Sequence, residues 1–206
     1  MADDKFDDLP AEAKETGLML VELIKDCIAL SSLIGSPCDN PCNRRAYVRA
    51  LFAQIEADIF VQKQGMLKDT TGFSEAEIAM LREETYSIDR GKARIQTKFI
   101  SIEDNFRFVL AMRNRNAKDK YQESFDGEGW HSLKKAIEIR NRLTHPKELA
   151  DLTVSDSDMT LIRKAGFWVT RCSINAMVHF WGKDSLIGKY LAKECQNVLV
   201  DAETAA

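Results

Sequence analysis

The sequence predicts an all-α protein, an up-and-down bundle of about five to seven helices. Apolar residues recur at three- and four-residue spacing along most of the chain, and Gly- or Pro-containing segments separate these periodic stretches. Strand-like alternation is confined to residues 96–102. Because 206 residues suffice for one sizeable core, we predict a single domain over residues 1–206, with a short acidic N-terminal tail and a disordered C-terminal tail.

Two long helices are predicted in the first third of the chain. The first covers residues 11–34 and ends in the segment GSPCDNPC, whose glycine and prolines interrupt a helix. Asn40 followed by Pro41 is a favourable N-cap and first-turn pair, so a second helix is expected from there to about residue 67. Both segments carry an apolar stripe, as helices that pack on a core require.

Capping signals predict the later helices. Ser74 and Glu77 form a capping box ahead of a third helix, whose apolar periodicity extends to Tyr86. Four further helices are predicted. One starts at Ser101, and the others cover residues from about Trp130 to Pro146, from Ser155 to about Phe180, and from Ser185 to about Val200.

Composition and the N-terminal segment indicate a cytoplasmic protein. Hydrophobic residues make up 45% of the chain and charged residues 30%, as in ordinary globular proteins. No apolar stretch is long enough to cross a bilayer. The opening segment MADDKFDDLPAEAKE is acidic and polar, unlike a signal or transit peptide. We therefore expect a cytoplasmic protein with no membrane partner.

No metal or cofactor site is predicted. Cys38 and Cys42 form a C-x3-C pair that could supply half of a zinc site, but a structural zinc usually takes four ligands. His131, His145 and His179 are scattered along the chain, so they form no second ligand pair. An odd count of five cysteines without a secretory signal favours reduced thiols.

Positive charge is concentrated in one part of the chain. Residues 90–147 contain fourteen Lys and Arg against seven Asp and Glu, whereas the whole chain has a net charge of -3. Such a stretch can supply phosphate contacts to RNA, and a solvated helix face explains it equally well. The candidate RNA-binding residues lie before the fifth helix and are Arg107, Arg113, Arg115, Lys118 and Lys120.

The fifth helix carries an arginine within its apolar stripe. At about 100° per residue, Leu133 and Ala136 share one helix face with Arg140. An arginine in that position requires either a carboxylate partner or an adjoining cleft. Glu56 and Asp58 on the second helix are the candidate carboxylates.

A histidine lies at the end of the same helix. His145 is one helical turn beyond Asn141, and Pro146 ends the helix there, which would leave the imidazole near solvent. On an ideal helix Arg140 and His145 point roughly 140° apart, so they share a site only if the last turn loosens or the arginine reaches round. A lone histidine at a helix C-terminus can also act simply as a cation near the helix dipole.

The segment Arg140-Asn141-x-x-x-His145, with Trp130 and Leu133 upstream, resembles the Arg-x(4–6)-His signature of the HEPN superfamily (higher eukaryotes and prokaryotes nucleotide-binding). The second helix, RRAYVRALFAQIEADIF, is similar to the early core helix of that family. Members of the family are helical bundles. Many are metal-independent endoribonucleases of toxin–antitoxin, abortive-infection, CRISPR and RNA-processing systems.

The resemblance implies a reaction and a set of partners. The 2′-OH of RNA would attack the adjacent phosphorus while His145 moves protons and Arg140 stabilises the phosphorane. Asn141 would orient the histidine or the phosphate. The products would be a 2′,3′-cyclic phosphate and a 5′-hydroxyl, without metal or cofactor. Because family nucleases pair two motifs across a dimer cleft, the resemblance implies a homodimer in a prokaryotic toxin–antitoxin or phage-defence setting. It also suggests an antitoxin or a nucleotidyltransferase as a partner.

Two other interpretations stay open at this point. The chain could be a non-catalytic HEPN bundle that binds a protein or a nucleotide and uses Arg140 and His145 structurally. It could also be a helical scaffold unrelated to the family.

Overall fold

The computed structural model describes residues 11–116 and 125–181, which form six α-helices and one β-hairpin. A short 3-10 helix joins the last two helices. In chain order the elements are α1 (Ala11–Leu33), α2 (Pro41–Leu67), α3 (Glu75–Leu81), β1 (Glu84–Asp89), β2 (Lys92–Thr97), α4 (Ile102–Asn116), α5 (Glu128–Thr144), the 3-10 helix (Leu149–Leu152) and α6 (Asp156–Trp181).

The capping signals place the helix starts as predicted. The Asn40 side chain accepts hydrogen bonds from the first-turn amides of α2, with Pro41 as the first helical residue. Ser74 and Glu77 form the reciprocal capping box of α3. The α4 and α6 helices begin after Ser101 and Ser155, whose hydroxyls accept from the amides of Asp104 and Asp158.

The hydrophobic core is built around α2, which contacts α1, α3, α4, α5 and α6. Phe52 and Ile55 of α2, Phe106 of α4, Leu133 of α5 and Ile162 of α6 are at most 2% exposed. The predicted helical bundle is therefore confirmed in its mostly helical character for the described residues, whereas the all-α prediction did not include the two-stranded hairpin.

A cluster of aromatic rings lies where α4, α5 and α6 meet. The Trp168 ring of α6 lies 5.9 Å from that of Trp130 and 5.6 Å from that of Phe106, in tilted arrangements that aromatic rings favour. Close packing at this junction excludes a side chain at Gly129, where a Cβ atom would lie 2.2 Å from two atoms of Trp168. The aromatic cluster thus fixes α5 against α6.

The third helix is shorter than predicted, and a hairpin follows it. α3 ends at Leu81, and Tyr86 belongs to β1, which pairs with β2 in antiparallel register. Arg90 and Gly91 link the strands with φ values of 50° and 77°, as a two-residue hairpin turn requires. The prediction of a helix through Tyr86 is wrong. The apolar residues of this segment also fit the alternation of a six-residue strand. The sequence predicts strand alternation only further along the chain, at residues 96–102.

Several predictions fall outside the described residues. They concern Lys118 and Lys120, the helix predicted at 185–200 and the two tails. Within the described residues, no helix combines the length and apolarity needed to cross a membrane.

Candidate functional site

Arg140 lies at the edge of the contact between α5 and α2. Its neighbours Ala136, Ile139 and Leu143 are buried, whereas the Arg140 side chain remains 29% exposed. The guanidinium carbon lies 5.9 Å from the centroid of the Phe52 ring on α2. The arginine therefore covers the rim of the core with its carbon chain and keeps its charged end at the surface.

The charge of Arg140 is paired across the two helices. Its Nη2 donates to Glu56 Oε1 at 2.7 Å, and its Nη1 donates to Asn141 Oδ1 at 3.2 Å. Of the two carboxylates proposed from the sequence, Glu56 is the partner. The Glu56 side chain is 47% exposed, so the pair lies at the solvent-accessible edge between α2 and α5, which we call the α2–α5 groove. Two of the five guanidinium N–H groups are used in these bonds, which leaves donors for an incoming anion.

His145 lies just beyond the end of α5, as the following proline predicts. Its backbone N–H closes the last turn on the carbonyl of Asn141, and its own φ of -126° and ψ of 61° leave the helix. The residue is exposed, and its ring makes no hydrogen bond or ion pair within the described residues. No hydrogen bond joins it to Arg140 there. The structure thus presents a solvent-facing imidazole at a helix end.

The loop after His145 is held by three arginines. Arg142 donates to the carbonyls of Asp151 and Thr153 and pairs with Asp158 of α6 at 2.7 Å. Backbone amides of the same loop donate to the Asp151 carboxylate, which lowers the pKa of Asp151. From α2, Arg45 donates to the carbonyl of Leu152 and Arg44 to the carbonyl of Val154. The segment that carries His145 is therefore anchored on both sides of the histidine.

These contacts reveal a site residue that sequence reasoning missed. Arg45 reaches the loop beside the C-terminal end of α5, and Glu56 reaches Arg140, so α2 and α5 run antiparallel. Arg45, Arg49, Phe52 and Glu56 share one face of α2 because they are spaced by four, three and four residues. Arg49 lies between the two contacts and is exposed, with no ion pair to the described residues. The spacing of Arg49 from Glu56, which places both on one face of α2, is the sequence signal that could have identified Arg49.

The predicted RNA-binding residues that the structure describes, Arg107, Arg113 and Arg115, do not form one surface. Arg107 of α4 is exposed, and its guanidinium carbon lies 4.3 Å from the Trp130 ring centroid. Arg115 is bound to Glu77 of α3, with 2.6 Å between Nη1 and Oε1. Arg113 is only 3% exposed, so its assignment to a phosphate-binding surface is wrong.

Arg113 belongs instead to a buried polar cluster between helices. Burial lowers the pKa of Arg113 to about 10, while the nearby carboxylate of Asp58 favours its charged form. Asp58 accepts hydrogen bonds from Gln62 and from Ser173 of α6, yet burial raises its pKa. The cluster joins α2, α4 and α6, and the spacing of residues within any one helix does not predict it. It lies inside the bundle and not at its surface.

The cysteines of the described residues are free thiols. Cys38 and Cys42 are exposed, and Cys27 and Cys172 are buried. Residues 11–116 and 125–181 contain no group of three or more His, Cys, Asp or Glu side chains arranged to hold a metal ion.

Comparisons with protein-family models, with curated proteins and with solved structures return no match for this chain. The resemblance to the HEPN superfamily is therefore carried by the α5 motif and the α2 segment.

Proposed function

We propose that the chain is a metal-independent endoribonuclease whose reacting groups are His145 and Arg140. The observation that carries the proposal is the exposed His145 at the end of α5, whose imidazole has no hydrogen bond or ion pair among the described residues, on a loop that Arg142 and Arg45 hold in place. Histidine exchanges protons near neutral pH, which transfer from a ribose 2′-OH requires.

Arg140 supplies the second chemical requirement of the reaction. Attack of the 2′-OH on phosphorus adds negative charge to the phosphoryl oxygens, and a guanidinium can donate two parallel hydrogen bonds to them. Arg140 has N–H donors beyond those bound by Glu56 and Asn141. Asn141 is exposed one helical turn before His145, so its amide can orient Arg140 or the phosphate.

Glu56 competes with an incoming phosphate for Arg140. Its carboxylate occupies Arg140 Nη2 in the free protein and would repel an incoming anion. Because both side chains are partly exposed, the ion pair contributes at most about 1 kcal/mol, which phosphate binding can offset. Arg49 shares a face of α2 with Glu56 and has no ion pair to the described residues, so it would add positive charge at the same groove.

The ion pair itself favours a second candidate function. A closed pair between Arg140 and Glu56 is also what a non-catalytic bundle would use to fix α5 against α2. On that interpretation the groove binds a protein or a nucleotide, and the exposed histidine is a contact residue without a proton-transfer role.

A cleavage assay distinguishes the two candidates. Purified protein is incubated with single-stranded RNA in EDTA, in parallel with His145→Ala, Arg140→Ala and the control His131→Ala. His131 is an exposed histidine on the same helix, so its removal matches the chemical change without touching the groove. We expect cleavage by the wild type and by His131→Ala, with a loss of about 10²-fold or more in the other two.

Three other results of this assay would count against the proposed function. Equal cleavage by all four proteins would indicate a contaminating nuclease and remove the proposal. Cleavage abolished by EDTA would contradict a metal-independent reaction. RNA binding without cleavage would support the binding module.

A further inference from the structure

Two exposed cysteines lie at the start of α2. Cys38 belongs to the turn before the helix and Cys42 to its first turn, and both are exposed free thiols. The other cysteines of the described residues, Cys27 and Cys172, are buried. Two neighbouring thiols can carry out a reaction that one alone cannot, because the second can displace a group that has become bound to the first.

One side chain links the backbones of the two exposed cysteines. The amide group of Asn40 accepts from the backbone N–H of Cys42 through Oδ1 at 2.9 Å and donates to the carbonyl of Cys38 through Nδ2 at 3.0 Å. Asn43, in the same helical turn as Cys42, also donates to the Cys38 carbonyl, at 2.8 Å. The turn that carries Cys38 is therefore folded back against the first turn of α2.

The direction of the helix also favours an approach of the two thiols. The Cα–Cβ bonds of an α-helix tilt toward its N-terminus, so the Cys42 side chain leans toward the turn that carries Cys38. A disulfide needs Cβ atoms about 3.5–4.5 Å apart. Because only the Asn40 amide group links the two backbones, displacement of that group is the rearrangement that closure requires.

We propose that Cys38 and Cys42 form an oxidation site that closes to an intramolecular disulfide. The oxidant is a small-molecule disulfide, for which oxidised glutathione is the probe. One cysteine thiolate attacks a sulfur of that disulfide and releases one glutathione, and the other cysteine then attacks the mixed disulfide and releases the second. The two thiol protons and two electrons of the cysteines thereby pass to two molecules of reduced glutathione.

Closure of the disulfide acts on the residues that it encloses. The ring contains Asp39, which binds Arg44 Nη2 at 2.6 Å, and Asn40, which caps α2. Drawing Cys38 toward Cys42 displaces the Asn40 amide from both of its partners and moves Asp39 away from its present position. The oxidised form thus loses the cap and weakens the contact between Asp39 and Arg44.

Arg44 extends the effect to the loop after His145. Its Nη1 donates to the carbonyl of Val154 at 3.2 Å and pairs with Asp156, the first residue of α6, at 2.7 Å. A shift of Arg44 therefore loosens the segment between α5 and α6. The thiol state of the pair would in this way regulate the loop that carries His145.

This proposal goes beyond the endoribonuclease assignment and does not rest on it. Formation of the disulfide and loosening of the loop are both measured without RNA. Failure of the cleavage assay and failure of the thiol experiment are therefore separate results.

Intact-mass spectrometry after treatment with oxidised glutathione tests the oxidation site. The full chain carries Cys195→Ser, because Cys195 lies outside the described residues, and this parent is compared with the same chain bearing Cys38→Ser or Cys42→Ser. We expect the parent to become two hydrogens lighter, and dithiothreitol to reverse the change. Each single variant should instead gain one glutathione, at least about tenfold more than the parent retains, since no second thiol displaces it.

Hydrogen exchange of the oxidised parent tests the effect on the loop. Amides of residues 42–45 and 151–155 should exchange about threefold to tenfold faster than in the same protein after reduction, since both segments lose hydrogen-bonded anchors. The first turn of α3 is the internal control, because Ser74 caps it and it contains no cysteine. Its exchange should be the same in both forms.

Three outcomes would overturn the proposal. The first is a parent that keeps one or two glutathiones, as the single variants keep one, which would show that the two thiols do not meet. The second is a parent that oxidised glutathione leaves unmodified. The third is a disulfide that leaves the exchange of residues 151–155 unchanged, which would remove the link between the thiols and the loop.

Discussion

The ion pair between Arg140 and Glu56 can be broken at a small cost in free energy. The two side chains are 29% and 47% exposed, so water weakens their attraction and lowers the cost of separating them. A fully buried pair would resist separation because each charge would be left without solvent. Under the proposed function, this partial exposure would allow Arg140 to hold α5 against α2 in the free protein and to bind a phosphate afterwards.

Removing the charge of Glu56 should therefore favour RNA. We expect Glu56→Gln to raise the affinity for single-stranded RNA about twofold to fivefold, since the competing ion pair contributes at most about 1 kcal/mol. Fluorescence anisotropy at fixed salt measures the change. Glu138→Gln is the control, as Glu138 pairs with Lys135 on the exposed side of α5. Unchanged or lower affinity in Glu56→Gln alone would show that Arg140 does not contact RNA.

Arg49 should contribute to binding through charge alone. Arg49→Ala is expected to weaken RNA binding and to reduce the slope of log K against log salt by about 0.7, the value for one phosphate contact on a single strand. Because Arg49 is exposed, the thermal stability of the protein should not change in this variant. Arg82→Ala, an exposed arginine at the end of α3, is the control. An equal change of slope in both variants would contradict a local role for Arg49.

The capping box of α3 combines two functions in one side chain. Glu77 accepts from the Ser74 amide and also pairs with Arg115 of α4, which lowers the pKa of Glu77 from 4.5 to about 2. The Arg115 hydrogen bond is the main cause of this shift, followed by the Ser74 backbone bond. The helix end and the neighbouring helix are therefore stabilised by the same carboxylate.

This shift predicts a dependence of stability on pH. A carboxyl group with a lowered pKa in the folded state stabilises that state above its ordinary pKa, and the contribution is lost as the pH falls through the folded value. We expect the difference in Tm between wild type and Glu77→Gln to shrink from pH 5 to pH 2, since glutamine keeps the cap but not the charge. Scanning calorimetry measures it, and a constant difference would argue against the ion pair.

The junction of α5 and α6 allows no extra atom at Gly129. Gly129→Ala should lower Tm by several degrees, because overpacking against Trp168 costs about 1–3 kcal/mol and exceeds the gain in helix propensity. His131→Ala, two residues further along α5 at an exposed position, should have little effect. A Tm for Gly129→Ala at or above that of the wild type would mean that α5 and α6 are packed less closely there.

Across the whole molecule, the sequence predicts local signals well and long-range contacts poorly. Asn40, Ser74 and Ser155 mark helix starts because capping is decided within four residues of the chain. The hairpin was not predicted because the spacing of its apolar residues also fits a helical turn. Only the chain reversal at Arg90 and Gly91 separates the two interpretations.

The candidate site shows the same division. The position of His145 at the helix end follows from Pro146, the next residue. The sequence also limits the carboxylate partner of Arg140 to two candidates, one of which is Glu56. The burial of Arg113 beside Asp58 and the position of Arg49 depend on how α2 packs against other helices. No periodicity within a single helix contains that information.

The chemical nature of the cleaved RNA ends distinguishes attack by the 2′-OH from other routes of hydrolysis. A short RNA is incubated with the protein in EDTA, and the product ends are identified by mass spectrometry, with a matched substrate carrying 2′-deoxyribose at the cleaved position. We expect a 2′,3′-cyclic phosphate and a 5′-hydroxyl, no cleavage of the deoxy substrate, and no cleavage by His145→Ala. Products with a 3′-hydroxyl and a 5′-phosphate, or RNA left intact by the wild type, would rule out the proposed reaction.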